Sequence, residues 1–293
     1  MYLLGIDVGT QGTRALLCDP QGDVHCQATH PFEARVPTGE SDWFEQCPGD
    51  WWDATVTCLR QISTDMAEQG LAKEAIAGIS VTSTSGTLCF LDEQNKPLGN
   101  ALMYNDRRAQ ANAQQVNEAG QTLATKMGYR FSASFSLPKM VWAKEKDTPR
   151  FEATSQFASP TGWIIGQLTG RFGVSDYTNA LKMGFDLIEG KWPRFIEAEL
   201  SIPLNRLPQV VAPGTQVGQV STRSAEHTGL AVGTPVLAGM TDGCASQIST
   251  GAVAPGQWNS TLGTTLVIKG VSRQLVRDPL GRIYCHRHPN GHW

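Results

Sequence analysis

The chain has 293 residues, 40% of them hydrophobic, with 24 Lys and Arg against 27 Asp and Glu and a formal net charge of -3. Such a length suits two domains, or one large domain and part of another, and the charge leaves no basic footprint for nucleic acid or an anionic membrane. No apolar run reaches the ~20 residues needed to span a bilayer. The seven cysteines are scattered without a Cys-x-x-Cys pair, which indicates reduced thiols in the cytoplasm rather than a disulfide framework. The first strand starts at once, leaving no room for a cleavable signal.

Alternating and apolar runs predict strands over residues 2–8, 13–18 and 24–31, the last two joined by the turn at 19–23. Helical spacing follows over 48–66, with Trp52, Val56, Leu59 and Ile62 on one face. A buried strand over 76–81 runs into the polar turn 82–87, and residues 88–91 and 101–104 read as a hairpin around 92–97. The Ala-, Gln- and Asn-rich stretch 107–126 reads as one surface helix, followed by helical pieces at 138–146 and 160–168. Prolines and glycines break 192–226 into connecting structure with one short helix. A buried strand over 234–239 leads into a helix ending near 250, and residues 257–262 and 265–271 form a last hairpin.

Three places in this order carry chemistry. Gly9 and Gly12, with Thr10, Gln11, Thr13 and Arg14, make a small-residue turn between the first two strands, where backbone amides can approach an anion. Asp7, just before that turn, can hold a divalent ion through water, although an ordinary glycine-rich hairpin would look the same. A Gly-Thr turn recurs at Gly263 and Thr264; two such hairpins facing each other would clamp a polyphosphate, while a chance match is the plain alternative. Asp242, between the 234–239 strand and its helix, is either a base acting on a substrate hydroxyl or a helix N-cap. His286, His288 and His292 read as a terminal, partly exposed segment rather than a metal site. Trp43, Trp51, Trp52 and Tyr104 are the aromatics available to stack on a sugar.

In combination, GIDVGTQGTR at 5–14, MYNDRRA at 103–109, AGMTDGCAS at 238–246 and STLGTT at 260–265 resemble the FGGY family of carbohydrate kinases. SFSLPKMVW at 134–142 is similar to the family's Lys-x-x-Trp signature, departing from it at Ala143 and Lys146. The resemblance implies an α/β, actin-like ATPase fold of the ribonuclease H-like class. It implies a sugar-binding domain over 1–243 and the opening of an ATP-binding domain over 244–293, so that the chain as given would have weak or no kinase activity. The expected chemistry is ATP- and Mg2+-dependent phosphorylation of a ketopentose, D-ribulose or D-xylulose. Xylulose kinases more commonly carry Met-His-Gly where this chain has Thr84, Ser85 and Gly86, which leans the reading toward D-ribulose.

By position, the resemblance makes Asp242 the base, Asp7 the magnesium and sugar ligand, and Gly9, Thr10, Gln11, Thr13 and Arg14 the first phosphate hairpin. Gly263, Thr264 and Thr265 become the second hairpin, Ser85 the ketose contact, and Asp106 and Arg107 ligands of sugar hydroxyls. Its partner is a small sugar, with a homodimer possible and neither nucleic acid nor membrane involved. The competing readings are a non-catalytic sugar-binding module, a kinase for glycerol or L-ribulose, and an actin- or chaperone-type ATPase.

Overall fold

In the computed structural model, residues 1–33, 41–262, 266–278 and 280–293 are described. Six strands form the central sheet in the order Gln216–Gln219, Pro235–Thr241, Ile76–Ser83, Tyr2–Val8, Gly12–Cys18 and Val24–Pro31. The three middle strands, Pro235–Thr241, Ile76–Ser83 and Tyr2–Val8, run parallel, and the outer ones are antiparallel to their neighbours. Three carboxyl ends therefore emerge side by side at one edge of the sheet, which is where open α/β sheets bind ligands.

Period-two alternation decides what each strand buries. Leu4, Ile6 and Val8 on the first strand and Thr13, Ala15 and Leu17 on the second point into the core, whereas Leu3 and Leu16 are exposed on the other face. The helix Pro48–Glu68 covers the core face, started by Pro48 at its first turn, with Trp51, Ala54, Cys58, Leu59, Ile62 and Met66 buried. Trp52 and Val56, expected in that stripe, lie half-buried at its flank because the face is centred one residue earlier. Helix Pro160–Thr169, capped by the Ser159 side chain on the Gly162 amide, packs beside it, with Trp163 edge-on to Trp51.

A second core gathers Phe90, Phe131, Phe135, Leu137, Met140, Phe157, Leu181, Met183 and Ile196. The single helix expected over 107–126 is two, Gln110–Ala119 and Gln121–Met127, broken at Gly120, where a Cβ would meet the Val116 carbonyl at 2.8 Å and Phe131 at 3.0 Å. Val116 and Leu123 are buried there, so this is not a purely surface element. Cys89–Leu91 pairs mainly with Gln156–Ala158, and Ala101–Leu102 with Glu45–Gln46; of the expected hairpin only the Leu88–Leu102 and Leu91–Pro97 bridges form. The 192–226 stretch hides the edge strand Gln216–Gln219, a strand at Gln209–Val211 and two short helices, Phe195–Ala198 and Thr222–Thr228. Among the described residues no helix is long and apolar enough to cross a membrane.

Candidate active site

Asp7 is the last residue but one of the first strand; its neighbour across the sheet is Arg14 and its parallel partner is Thr82. The turn that follows is tight, with the Gly9 amide donating to the Gly12 carbonyl at 3.0 Å. Gln46 pins it from the core side through a 2.7 Å bond from Nε2 to the Thr10 carbonyl. Gly12 lies so close to the third strand that a Cβ would sit 2.6 Å from the His30 carbonyl. Thr10, Gln11 and Arg14 reach solvent, but Thr13 is fully buried with no partner for its hydroxyl among the described residues. Alternation sends adjacent residues to opposite faces, so Thr13 faces the core and is removed from the set of phosphate-facing hydroxyls.

The strand Ile76–Ser83 ends in a turn that its neighbours hold from several sides. Ser83 Oγ bonds Thr161 Oγ1 at 2.7 Å and accepts the Thr161 amide, and Thr84 and Thr87 hydroxyls meet at 2.9 Å. Two buried lysines clamp the same turn: Lys139 Nζ donates to the Gly86 carbonyl at 2.9 Å and Lys182 Nζ to the Ser85 carbonyl at 3.3 Å. Ser85 Oγ is left without a partner among the described residues.

Gly86 has a φ of +88° and would place a Cβ 2.1 Å from the Ser134 carbonyl. The left-handed backbone alone makes a side chain there cost about 1–3 kcal/mol. Gly86→Ala is therefore expected to lower the thermal unfolding temperature and to displace Ser85, which calorimetric ligand titration reads as lost affinity.

Asp242 opens the helix Asp242–Ser249 as its first residue, while Thr241 holds the N-cap position without a side-chain bond. The N-cap alternative for Asp242 is thus replaced by a carboxylate that, among the described residues, bonds the next amide, Gly243, at 2.6 Å. Its strand end is fixed from below. The Thr241 amide donates to Thr178 Oγ1 at 2.9 Å, and that hydroxyl donates to Asp176, whose buried carboxylate also accepts the amides of Thr178 and Asn179 and the Asn179 side chain. Burial raises the Asp242 carboxyl above the ordinary carboxylate range, opposed by the Gly243 amide, Lys182 and Lys269. Asp7 is raised as well, first by burial, with Arg14 opposing and the Asp242 charge adding to the rise. The two carboxylates thus stand at the ends of Tyr2–Val8 and Pro235–Thr241, the strands that flank Ile76–Ser83 on either side.

Asp106 corrects the sequence reading. Asp106 is fully buried and its carboxylate is already filled by the amides of Phe44 and Arg108 and by Nε and Nη2 of Arg108. Arg108 also bonds Glu45 at 2.8 Å and lies 3.9 Å from the Trp43 ring centroid and 5.0 Å from that of Trp142. Asp106 is an anchor without a free lone pair for a sugar, and Arg107 points to solvent. Among the expected aromatics, Trp51 is core and Trp43 stacks on Arg108, leaving Tyr104 exposed. Gly263, Thr264 and Thr265 lie outside the described residues.

The Tyr284–His288 stretch is not a loose tail. The Tyr284 ring packs on Phe135, and burial, with the charges of Cys244 and Asp242 adding, raises the pKa of its hydroxyl. Burial, with Lys182 and Lys269 nearby, pushes His286 down to about 3. Among the described residues no three His, Cys, Asp or Glu side chains gather as a metal would need. A groove of about 910 Å³ between the helices Gln110–Ala119 and Gln121–Met127 and residues 277–281 contains none of the expected site residues.

Sequence reasoning missed Lys139, Lys182 and Asp176 as site-building residues. Their signal was a charged side chain inside an apolar run, clearest at Lys182 between Leu181 and Met183.

Residues 2–249 match the model of the FGGY family of carbohydrate kinases, N-terminal domain. The chain belongs to the FGGY family. Among FGGY relatives, the xylulose kinase of Bacillus subtilis (strain 168) is 26% identical over 288 residues, which cover 98% of this chain and 57% of that protein. The glycerol kinase of Petrotoga mobilis is 32% identical over 225 residues, 74% of this chain and 44% of that protein. The crystal structure of xylulose kinase from Rhodospirillum rubrum superposes with a TM-score of 0.91 at 26% identity, covering 99% of this chain and 58% of the other. The chain thus spans a little over half the length of the xylulose kinases it matches. The actin-like ATPase fold expected from the FGGY motifs is the fold observed.

Proposed function

We propose that these residues form the sugar-binding side of an ATP-dependent kinase that phosphorylates a ketopentose, with D-ribulose ahead of D-xylulose. The observation that carries the reading is that Asp7 and Asp242 stand at the carboxyl ends of the parallel strands flanking Ile76–Ser83, whose following turn holds the buried Ser85 hydroxyl, unpartnered among the described residues. Asp242 accepts the proton of the attacking sugar hydroxyl, and its raised affinity for protons suits that task. Ser85 and the clamped turn orient the sugar. The amides at Thr10 and Gln11, with Arg14, face the phosphates.

Asp7 fits a magnesium ion. It is a hard oxygen donor with a side chain 37% exposed, and Arg14 at 3.4 Å is the neighbour an ion would displace or share. When bound, magnesium supplies neutralisation of charge on the transferred phosphate. The division into a sugar-binding domain over 1–243 and an ATP-binding portion from 244 onward belongs to the same proposal.

Isothermal titration of the 293-residue chain with D-ribulose, D-xylulose, L-ribulose and glycerol tests the sugar assignment. D-Ribulose is expected to bind most tightly. Tighter binding of glycerol overturns the pentulose assignment, and binding of none of the four overturns the sugar-directed reading.

A further inference from the structure

The 3-10 turn Leu181–Met183 carries Lys182 into the protein to 7% exposure, between two side chains that are fully buried. Its stem is packed tightly, for a Cβ at Gly86 would lie 2.8 Å from Lys182 Cδ, and its ammonium sits 5.6 Å from the Phe135 ring centroid. Taking an ammonium out of water costs several kcal/mol, which geometry must recover through partners. Among the described residues Lys182 has one hydrogen-bond partner, the Ser85 carbonyl at 3.3 Å, a long bond for a charged donor. Lys139 differs, since its 2.9 Å bond to Gly86 serves to pin the turn.

Three groups bear on Lys182 through its bond to Ser85 and through its charge. One is the Ser85 hydroxyl, buried and without a partner among the described residues. Another is Asp242, the carboxylate whose charge chiefly offsets that of Lys182. The last is the Tyr284–His286 segment, whose His286 Nδ1 is also buried and unpartnered among the described residues. Unsatisfied donors and acceptors concentrated around one proton acceptor are what a polyhydroxy ligand would complete.

We propose that Lys182 is a substrate-binding residue, whose ammonium donates to a carbonyl or hydroxyl oxygen of an uncharged polyhydroxy ketone held against Ser85, so that the reacting hydroxyl faces Asp242. The proposal rests on the kinase reading above. It explains why a buried charge with so little internal compensation is kept where an apolar side chain would pack. A purely structural lysine would stabilise the fold; this one holds a ligand at some expense in stability.

Calorimetric titration with D-ribulose and thermal unfolding, both on the 293-residue chain and its Lys182→Met and Lys182→Gln variants, test this. The expected result is a ~10- to 100-fold loss of D-ribulose affinity, the range of a charge-assisted hydrogen bond. Lys182→Met should leave the unfolding temperature unchanged or higher. Unaltered affinity in both variants overturns the proposal and leaves the kinase reading standing. A fall in unfolding temperature alongside affinity in both variants, or failure of both to fold, makes Lys182 structural and also overturns it. No D-ribulose binding by the unaltered chain overturns the proposal together with the reading beneath it.

Discussion

Asp242→Asn is expected to lower the rate of sugar phosphorylation by about 100- to 10,000-fold, the usual contribution of a positioned base. Sugar affinity should stay within a few-fold, because the amide keeps the size and most hydrogen-bonding capacity of the carboxylate. The rate is to be compared in a fusion that joins this chain to the remaining portion of a full-length relative, and the affinity by calorimetry on the chain itself. Equal rates would remove Asp242 from the chemistry.

The same substitution makes a stability prediction whose sign follows from linkage. Burial raises the folded-state pKa of Asp242 above its ordinary value of 3.8. The bound proton therefore favours the folded state below that value, and the advantage is lost as pH rises through the raised one. The Asn variant has no such loss. It should gain in unfolding temperature on the unaltered chain as pH rises above about 4, and the two should converge in more acid solution. An opposite trend would mean that Asp242 is held by a partner favouring its charge.

The second large effect is at Arg108. Arg108→Ala is expected to destabilise the domain by about 3–5 kcal/mol, because it leaves the Asp106 carboxylate buried without its counter-charge. In the intact protein Arg108 and Asp106 side chains are 3% and 0% exposed, joined at 2.7 Å, with Glu45 completing the cluster. The rings of Trp43 and Trp142 flank the guanidinium, so a lysine cannot replace its planar fork and stacked face. Arg108→Lys should recover only a minor part of the loss. Arg107→Ala, one residue away and exposed, should change stability little. Denaturant unfolding of the three variants measures all of these, and similar midpoints for Arg107→Ala and Arg108→Ala would overturn the assignment.

That contrast shows where sequence reasoning stops. MYNDRRA pointed to an acidic and a basic residue at a strand end, and both types are indeed held there. Which arginine turns inward depends on the position of Trp43, Glu45 and Trp142, residues brought in from distant parts of the chain. Thr13 shows the reverse case. Its inward direction follows from alternation with Ala15 and Leu17 and was legible in the pattern, but a hydroxyl beside a glycine turn suggests a phosphate contact instead. The Gln216–Gln219 strand left little local signal because it is short and lies at an edge, where one neighbour supplies its pairing.

Alternation, apolar runs and helical spacing in the sequence determined the first three strands, the Pro48–Glu68 helix and the strand leading to Asp242, most regularly the first two strands and the helix, which each bury one face. The ordered motifs likewise determined the family, because four short patterns in one order constrain a chain more than any one does. Tertiary structure alone decided that Asp7 and Asp242 stand at the ends of strands flanking the one that leads to Ser85, that Asp106 is sealed by Arg108, and that Lys182 is buried against the Ser85 carbonyl. Apart from the Asp106–Arg108 pair, these relate residues tens to hundreds of positions apart. They arise when parallel strands align their carboxyl ends, and the local pattern of no single segment contains that alignment.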